Sequence, residues 1–301
     1  MSTRKAWRDI INRPGLTLLP GAYDALSARL VEAQGFEALV AGGYAALGSM
    51  LAAPDHGQSN MRDMADHYAR ICGAVSIPVF VDADTGFGGV HNITQAVRAL
   101  EAAGAAAIFI GDQVFPNRCG YLPGKEIVTA ETMLARLYAA LAARSDPDLF
   151  IGARTDAFAV EGFDAAIERC QMFMEAGADL AIPQGVDEFD AIKRVLAEVS
   201  GPHIANQSHA AGKPKATLEQ LEELGVTAVT FPSALLFAAA GGVVRALEAL
   251  KHDRSFDRVA GELMSLEDYY ETVGLEAMLE RERRYDAQAA DLVKGSKDAA
   301  E

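Results

Sequence analysis

Eight short apolar runs alternate with amphipathic, alanine- and leucine-rich stretches through the first 250 residues of this chain. The runs occupy 16–23, 38–42, 79–84, 107–112, 150–155, 180–184, 203–208 and 228–232. The stretches between them include 25–34, 92–103, 130–144, 163–176, 187–199 and 218–224. Near-continuous apolar strands flanked by helical patterns read as a parallel sheet covered by helices. Gly35, Gly104, Gly177 and Gly225 stand just before a run, where a glycine at the helix C′ position ends the preceding helix. Eight β-α units predict an α/β fold closed into a (β/α)8, TIM-type barrel. A doubly wound open sheet is the alternative, but no G-x-G-x-x-G follows the first run.

The strand ends support closure. Asp82, Asp84, Asp112, Gln113, Arg154, Asp156, Gln184, Asn206 and Ser208 all lie at or just past the C-terminal end of a run. In a barrel these ends converge on one mouth, where active sites sit. The segment I-P-V-F-V-D-A-D-T-G-F-G-G (77–89) is the most informative. Its two aspartates, one residue apart on a strand, are expected to share a side. Two such carboxylates repel unless a cation or proton intervenes, and hard oxygen ligands suit Mg²⁺ or Mn²⁺. A capping role for the pair is the plainer alternative.

Composition narrows the remaining classes. The chain has 301 residues, half of them hydrophobic, and a formal charge of −15. That acidity argues against nonspecific binding of nucleic acid or an anionic membrane, and it is read as a solubility feature. The three cysteines, Cys72, Cys119 and Cys170, are far apart and form no C-x-x-C pair, so a reducing, cytoplasmic compartment is expected. The N-terminus has basic residues with no apolar stretch behind them, and no uninterrupted apolar segment is long enough to span a membrane. The expected organisation is a barrel over 1–250 and a charged helical extension over 251–301 with a disordered tail.

Three further motifs carry chemistry. D-Q-V-F-P-N-R-C-G-Y-L-P-G-K-E (112–126) is too rich in proline, glycine and polar groups to be a helix, and it reads as a lid over the mouth. It sets Cys119 beside Arg118, and a neighbouring cation favours thiolate, so Cys119 can give or take a proton. The plainer alternative is a small buried hydrophobe, accepted here for Cys72 and Cys170. G-A-R-T-D-A (152–157) places Arg154 at a strand end, either as a partner for the aspartates or as a clamp for a substrate carboxylate. In A-N-Q-S-H-A-A-G-K-P (205–214), Asn206 and Ser208 are expected to share a strand face suited to a carboxylate, with His209 read as structural or solvated.

Together with P-G-A-Y-D-A-L-S-A-R-L (20–30) and P-D-H-G (54–57), these motifs resemble the isocitrate lyase/phosphoenolpyruvate mutase superfamily. The R-C-G core and the L-P-G-K-E continuation look most like its methylisocitrate lyase and dimethylmalate lyase branch. The resemblance implies a barrel whose last helix is swapped between paired subunits, in a homotetramer that is a dimer of such dimers. It also implies Mg²⁺ or Mn²⁺ and a small carboxylic acid substrate cleaved by retro-aldol chemistry to a 2-oxo acid. By match, Asp82 and Asp84 hold the metal, directly or through water, with Asp55 close by. Cys119 is the proton donor and Arg154 binds the oxo-acid end. Asn206 and Ser208, with backbone N–H groups near Gly42 and Gly43, bind carboxylate. Arg118, Gly120, Tyr121 and Gln184 fall among the substrate contacts, and Tyr44 joins the catalytic candidates.

Departures from the family pattern are numerous. Gly111 stands where a glutamate is usual, Asn117 replaces a lysine, Tyr121 a histidine and Gln184 a glutamate. Ser208, His209 and Ala210 stand where the family motif continues toward a glutamate. Two negative charges are thereby lost near the metal, along with an imidazole from the lid. Tyr44, Tyr121 and His209 are candidate substitutes. Two other readings of the motifs stay open: oxaloacetate hydrolysis or decarboxylation or phosphonate P–C chemistry, and a barrel that binds an oxo acid without turnover.

Overall fold

The computed structural model describes residues 2–120, 122–208, 212 and 214–298, with side chains described through 294. The chain divides into two compact units, Met1–Gly241 and Gly242–Glu301. The first is an α/β barrel. Its strands are β1 (Thr17–Pro20), β2 (Leu39–Ala41), β3 (Val79–Asp82), β4 (Ala107–Gly111), β5 (Phe150–Thr155), β6 (Leu180–Pro183), β7 (Ile204–Asn206) and β8 (Ala228–Phe231). Its helices are α1 (Thr3–Asn12), α2 (Ala25–Ala33), α3 (Gly43–Leu51), α4 (Met61–Ala74), α5 (Val90–Ala102), α6 (Ala130–Ala143), α7 (Ala157–Val160), α8 (Phe163–Glu175), α9 (Phe189–Glu198) and α10 (Leu218–Leu224). Helix α11 (Ala234–Asp253) begins in the first unit. The second unit continues with a 3₁₀ helix (Asp257–Glu262), α12 (Leu266–Val273) and α13 (Leu275–Asp298).

Every ladder is parallel. β7, β8 and β1 form one ladder set and β2 to β6 another. A parallel bridge from Gly21 to Val40 joins β1 to β2. Among the described residues no ladder joins β6 to β7, so the barrel has one unbonded seam. The eight expected strands are all present: β5 spans its whole run, and the others are shorter than theirs by one to four residues. Gly35, Gly104, Gly177 and Gly225 all have positive φ, the conformation that ends a helix at least cost to a residue without Cβ.

Side chains alternate across each strand. Leu19, Val40, Phe80, Phe109, Phe150 and Leu180 fill the barrel interior. Ala41, Val81, Ile108, Ile151 and Ala181 face the helical layer instead. Helix α1, which the sequence reading did not anticipate, closes the floor. Trp7 is fully buried, with its ring 5.1 Å from Phe80 and 5.9 Å from Phe150. Arg4 donates to the Ala105 and Glu101 carbonyls, and Arg8 to the Asp148 and Leu149 carbonyls and to Asp179. These contacts seal the N-terminal ends of the strands and leave the opposite end for chemistry.

Candidate active site

A cavity of about 100 Å³ opens at the C-terminal ends of the strands. It is lined by Tyr44, Asp55, Asp82, Cys119, Arg154, Gln184 and Asn206, among others. Gly42, Gly43 and Gly120 contribute backbone. Ser208 lines a different cavity, in the seam between β6 and β7, while Asn206 lines both. The Arg118 guanidinium donates to the Pro123 carbonyl, and Arg118 does not line the mouth cavity. Tyr121 and His209 lie outside the described residues.

Asp82 is the last residue of β3, but Asp84 is past the strand, with φ of +50°. The two carboxylates therefore meet through a left-handed turn and not through strand alternation. Both converge on Gly43. A Cβ there would lie 3.3 Å from Asp84 Oδ1 and 3.6 Å from Asp82 Oδ2. The Gly43 N–H, in the first turn of α3, donates to Asp82 Oδ2 at 3.5 Å, so the positive end of that helix faces the carboxylates. The Asp84 N–H donates to Asp82 Oδ1.

Arg154 is the cationic wall. Its Nη1 lies 3.7 Å from Asp82 and its Nε 3.5 Å from Asp156. Burial opposes its charge, but Asp82, Asp156, Asp84 and Asp55 more than offset that and hold its pKa above the usual value. Strand register pairs Arg154 with Gly111. A Cβ at Gly111 would come within 3.3 Å of Arg154 Nη2. A side chain at position 111 would therefore press on the guanidinium. Burial and then the Asp82 charge push the Asp55 carboxyl up to about 6. Asp84 is shifted upward further, by burial and then by Asp82 and Asp55.

The cysteine loop is tied down at several points: the sequence reading placed Gln113 and Asp156 at the mouth but gave them no role, and it did not select Lys125. Asn117 Nδ2 donates to Asp84 Oδ1 at 2.9 Å, both groups buried. A neutral amide therefore supports the carboxylate from the loop. Gln113 bonds the Arg118 N–H and carbonyl and donates to Asp156 Oδ2. Lys125 Nζ donates to the Gly120 carbonyl and, at 2.8 Å, to Asp156 Oδ1. The Cys119 N–H donates to the Asp55 carbonyl. A Cβ at Gly120 would sit 2.8 Å from Gln184 Nε2, so the loop rests directly on the end of β6. Asp156 thus receives the loop through Lys125 and Gln113 and faces Arg154 as well. Its position just after Thr155 in G-A-R-T-D-A was the only sequence signal for this role.

Comparison with known proteins places this geometry. The model of the phosphoenolpyruvate phosphomutase family matches residues 8–251. The chain belongs to that family. The superfamily resemblance read from the motifs is therefore borne out. A 2,3-dimethylmalate lyase of Eubacterium barkeri is 34% identical over 285 residues, covering 95% of this chain and 99% of the relative. A 2-methylisocitrate lyase of Aeropyrum pernix is 36% identical, covering 95% and 92%. An oxaloacetate acetylhydrolase structure in complex with 3,3-difluorooxalacetate superposes with a TM-score of 0.89 at 28% identity, covering 95% and 97%. A phosphonopyruvate hydrolase complex with oxalate and Mg²⁺ superposes with a TM-score of 0.84 at 30% identity, covering 95% and 99%.

Proposed function

We propose that this chain is a Mg²⁺-dependent carbon–carbon lyase that cleaves a 2-hydroxy di- or tricarboxylic acid into a 2-oxo acid and a second carboxylate. The observation that carries the reading is the joint placement of Asp55, Asp82, Arg154 and Cys119 around one small cavity. Identities of 34% and 36% to two lyases over nearly full length support it.

The residues fit a divalent ion that keeps much of its own water. Among the described residues no three His, Cys, Asp or Glu side chains form a metal-holding group, so an all-protein cage is not what the site offers. Mg²⁺ is commonly held by one or two carboxylates plus water and substrate oxygens. Asp82 and Asp84 supply those carboxylates, and the buried Asp55 Oδ1 has no hydrogen-bond partner. The ion, when bound there, would supply Lewis-acid polarisation of the oxo-acid oxygens.

Arg154 holds the carboxylate of the oxo-acid half. Asp55, with its raised pKa, accepts the proton of the 2-hydroxyl. The bond between C2 and C3 then breaks, its electron pair moves to C3, and C2 becomes the carbonyl carbon. The Cys119 thiol gives its proton to C3, and exchange with solvent restores thiol and carboxylate. Asn206 and the Gly42–Gly43 turn face the second fragment, and Tyr44 covers the entrance. A cytoplasmic location and a homotetramer with swapped last barrel helices complete the proposal.

The test is a substrate panel with Mg²⁺ present: 2,3-dimethylmalate, 2-methylisocitrate, oxaloacetate and phosphonopyruvate. Cleavage of a hydroxy acid with release of a 2-oxo acid is expected. Turnover of oxaloacetate or phosphonopyruvate alone would sink the lyase reading.

A further inference from the structure

The seam between β6 and β7 encloses a second cavity of about 140 Å³. Its outer part is apolar: Ile192 and Leu196 from α9, Leu221 from α10, and Val186 and Val226 from the adjoining loops. Its inner part is formed by Ile182, Gln184, Ile204 and Asn206, which also line the mouth cavity. The two spaces therefore share a wall, and that wall lies where no ladder closes the barrel. β6 and β7 reflect this, since β7 is only half-buried along its length while β3, β4 and β5 are buried throughout.

Charge is distributed unevenly about these spaces. Asp55, Asp82 and Arg154 line the mouth cavity, and Asp84 stands beside Asp82. Among the described residues that line the seam, the charged side chains are Asp187 and Lys215, which pair with each other. Gln184, at the junction, is neutral.

We infer that the seam is the subsite for an unbranched alkyl tail on the second fragment of the substrate, so that the preferred substrate is a 2-hydroxy acid with a tail longer than methyl. The inference rests on the lyase reading above. The acid end lies against Arg154, C3 lies under Cys119, and the tail passes between Ile182 and Ile204 into the space bounded by Ile192, Leu221 and Val226. Apolar walls reward each buried methylene and give no partner to a second carboxylate.

The experiment is a homologous series of 3-alkylmalates carrying methyl, ethyl, butyl and hexyl tails, assayed on the wild type and on Ile192→Phe and Leu221→Phe. In the wild type, kcat/KM should rise about fourfold per methylene until the space is full. In both variants the ratio of the butyl to the methyl value should collapse toward unity. Because the ratio is internal to each variant, a general loss from imperfect folding cancels. Turnover with a flat or falling series in the wild type overturns the tail subsite and leaves the lyase reading standing. So does a rising series that neither variant changes. No turnover of any member, with 2,3-dimethylmalate or 2-methylisocitrate still cleaved, overturns the subsite and leaves the lyase reading standing; failure on those two acids as well overturns both.

Discussion

Cys119, Asp55 and Asp84 do different work although all three are buried within one pocket region. If Cys119 is the proposed proton donor, replacing it with Ala should lower kcat about 10²- to 10⁴-fold. Binding of the 2-oxo acid product, read by inhibition, should change little. In the metal-free protein Asp55 is pushed up to about 6; as the proposed base it must be deprotonated, so activity with Mg²⁺ should fall on the acid side of the profile. In Asp55→Asn that limb of the pH–rate profile should vanish along with most activity. Stability runs the other way. Both carboxylates hold their protons more tightly folded than unfolded. The metal-free protein should therefore lose stability as pH rises above the ordinary carboxylate value of about 4. Asp84→Asn in EDTA should flatten that decline and melt higher than wild type at pH 8. A steeper decline in the variant would contradict the assignment.

The cysteine loop and α1 close opposite ends of the barrel by different means. The loop is held by the buried Lys125–Asp156 pair at 2.8 Å. Lys125→Met should cost up to about 100-fold in kcat/KM by loosening the groups around Cys119, and it should speed amide exchange within 113–125. The floor depends on packing. Trp7→Ala should cost about 3–5 kcal/mol, read as a lower denaturation midpoint at constant slope, with the pocket side chains in place. The sequence announced the strands well, because runs apolar on both faces have little alternative to a buried sheet. It pointed to Asp82 and Arg154 because charged groups at strand ends are hard to explain by packing, and to Cys119 because it stands beside Arg118 in a loop rich in proline, glycine and polar groups. It could not announce how Asp84 is presented, since periodicity does not show where the chain leaves a strand. Nor could it pair Lys125 with Asp156 or Asn117 with Asp84, because partners some thirty residues apart leave no local pattern.

At the scale of the molecule, the unit from Gly242 to Glu301 exposes Val243, Val244, Leu247, Leu263, Met264 and Leu266, each at least half accessible. Apolar groups at that density are what subunit association covers. Light scattering on the full chain should give the mass of four copies; a monomer at micromolar concentration would remove the tetramer from the proposal. No helix among the described residues is long and apolar enough to cross a membrane. The unbonded seam has a mechanical meaning beyond the space it encloses. A ring with one open junction is a rolled strip, and a strip unrolls from its edges without breaking a rung. The edge strands here carry Gln184 and Asn206, while Asp82 and Arg154 stand on the fully laddered β3 to β5. The pocket is built like a vice whose jaws differ in backing: the side with Asp82 and Arg154 is held by rungs to both neighbours, while the side with Gln184 and Asn206 is held by rungs to one.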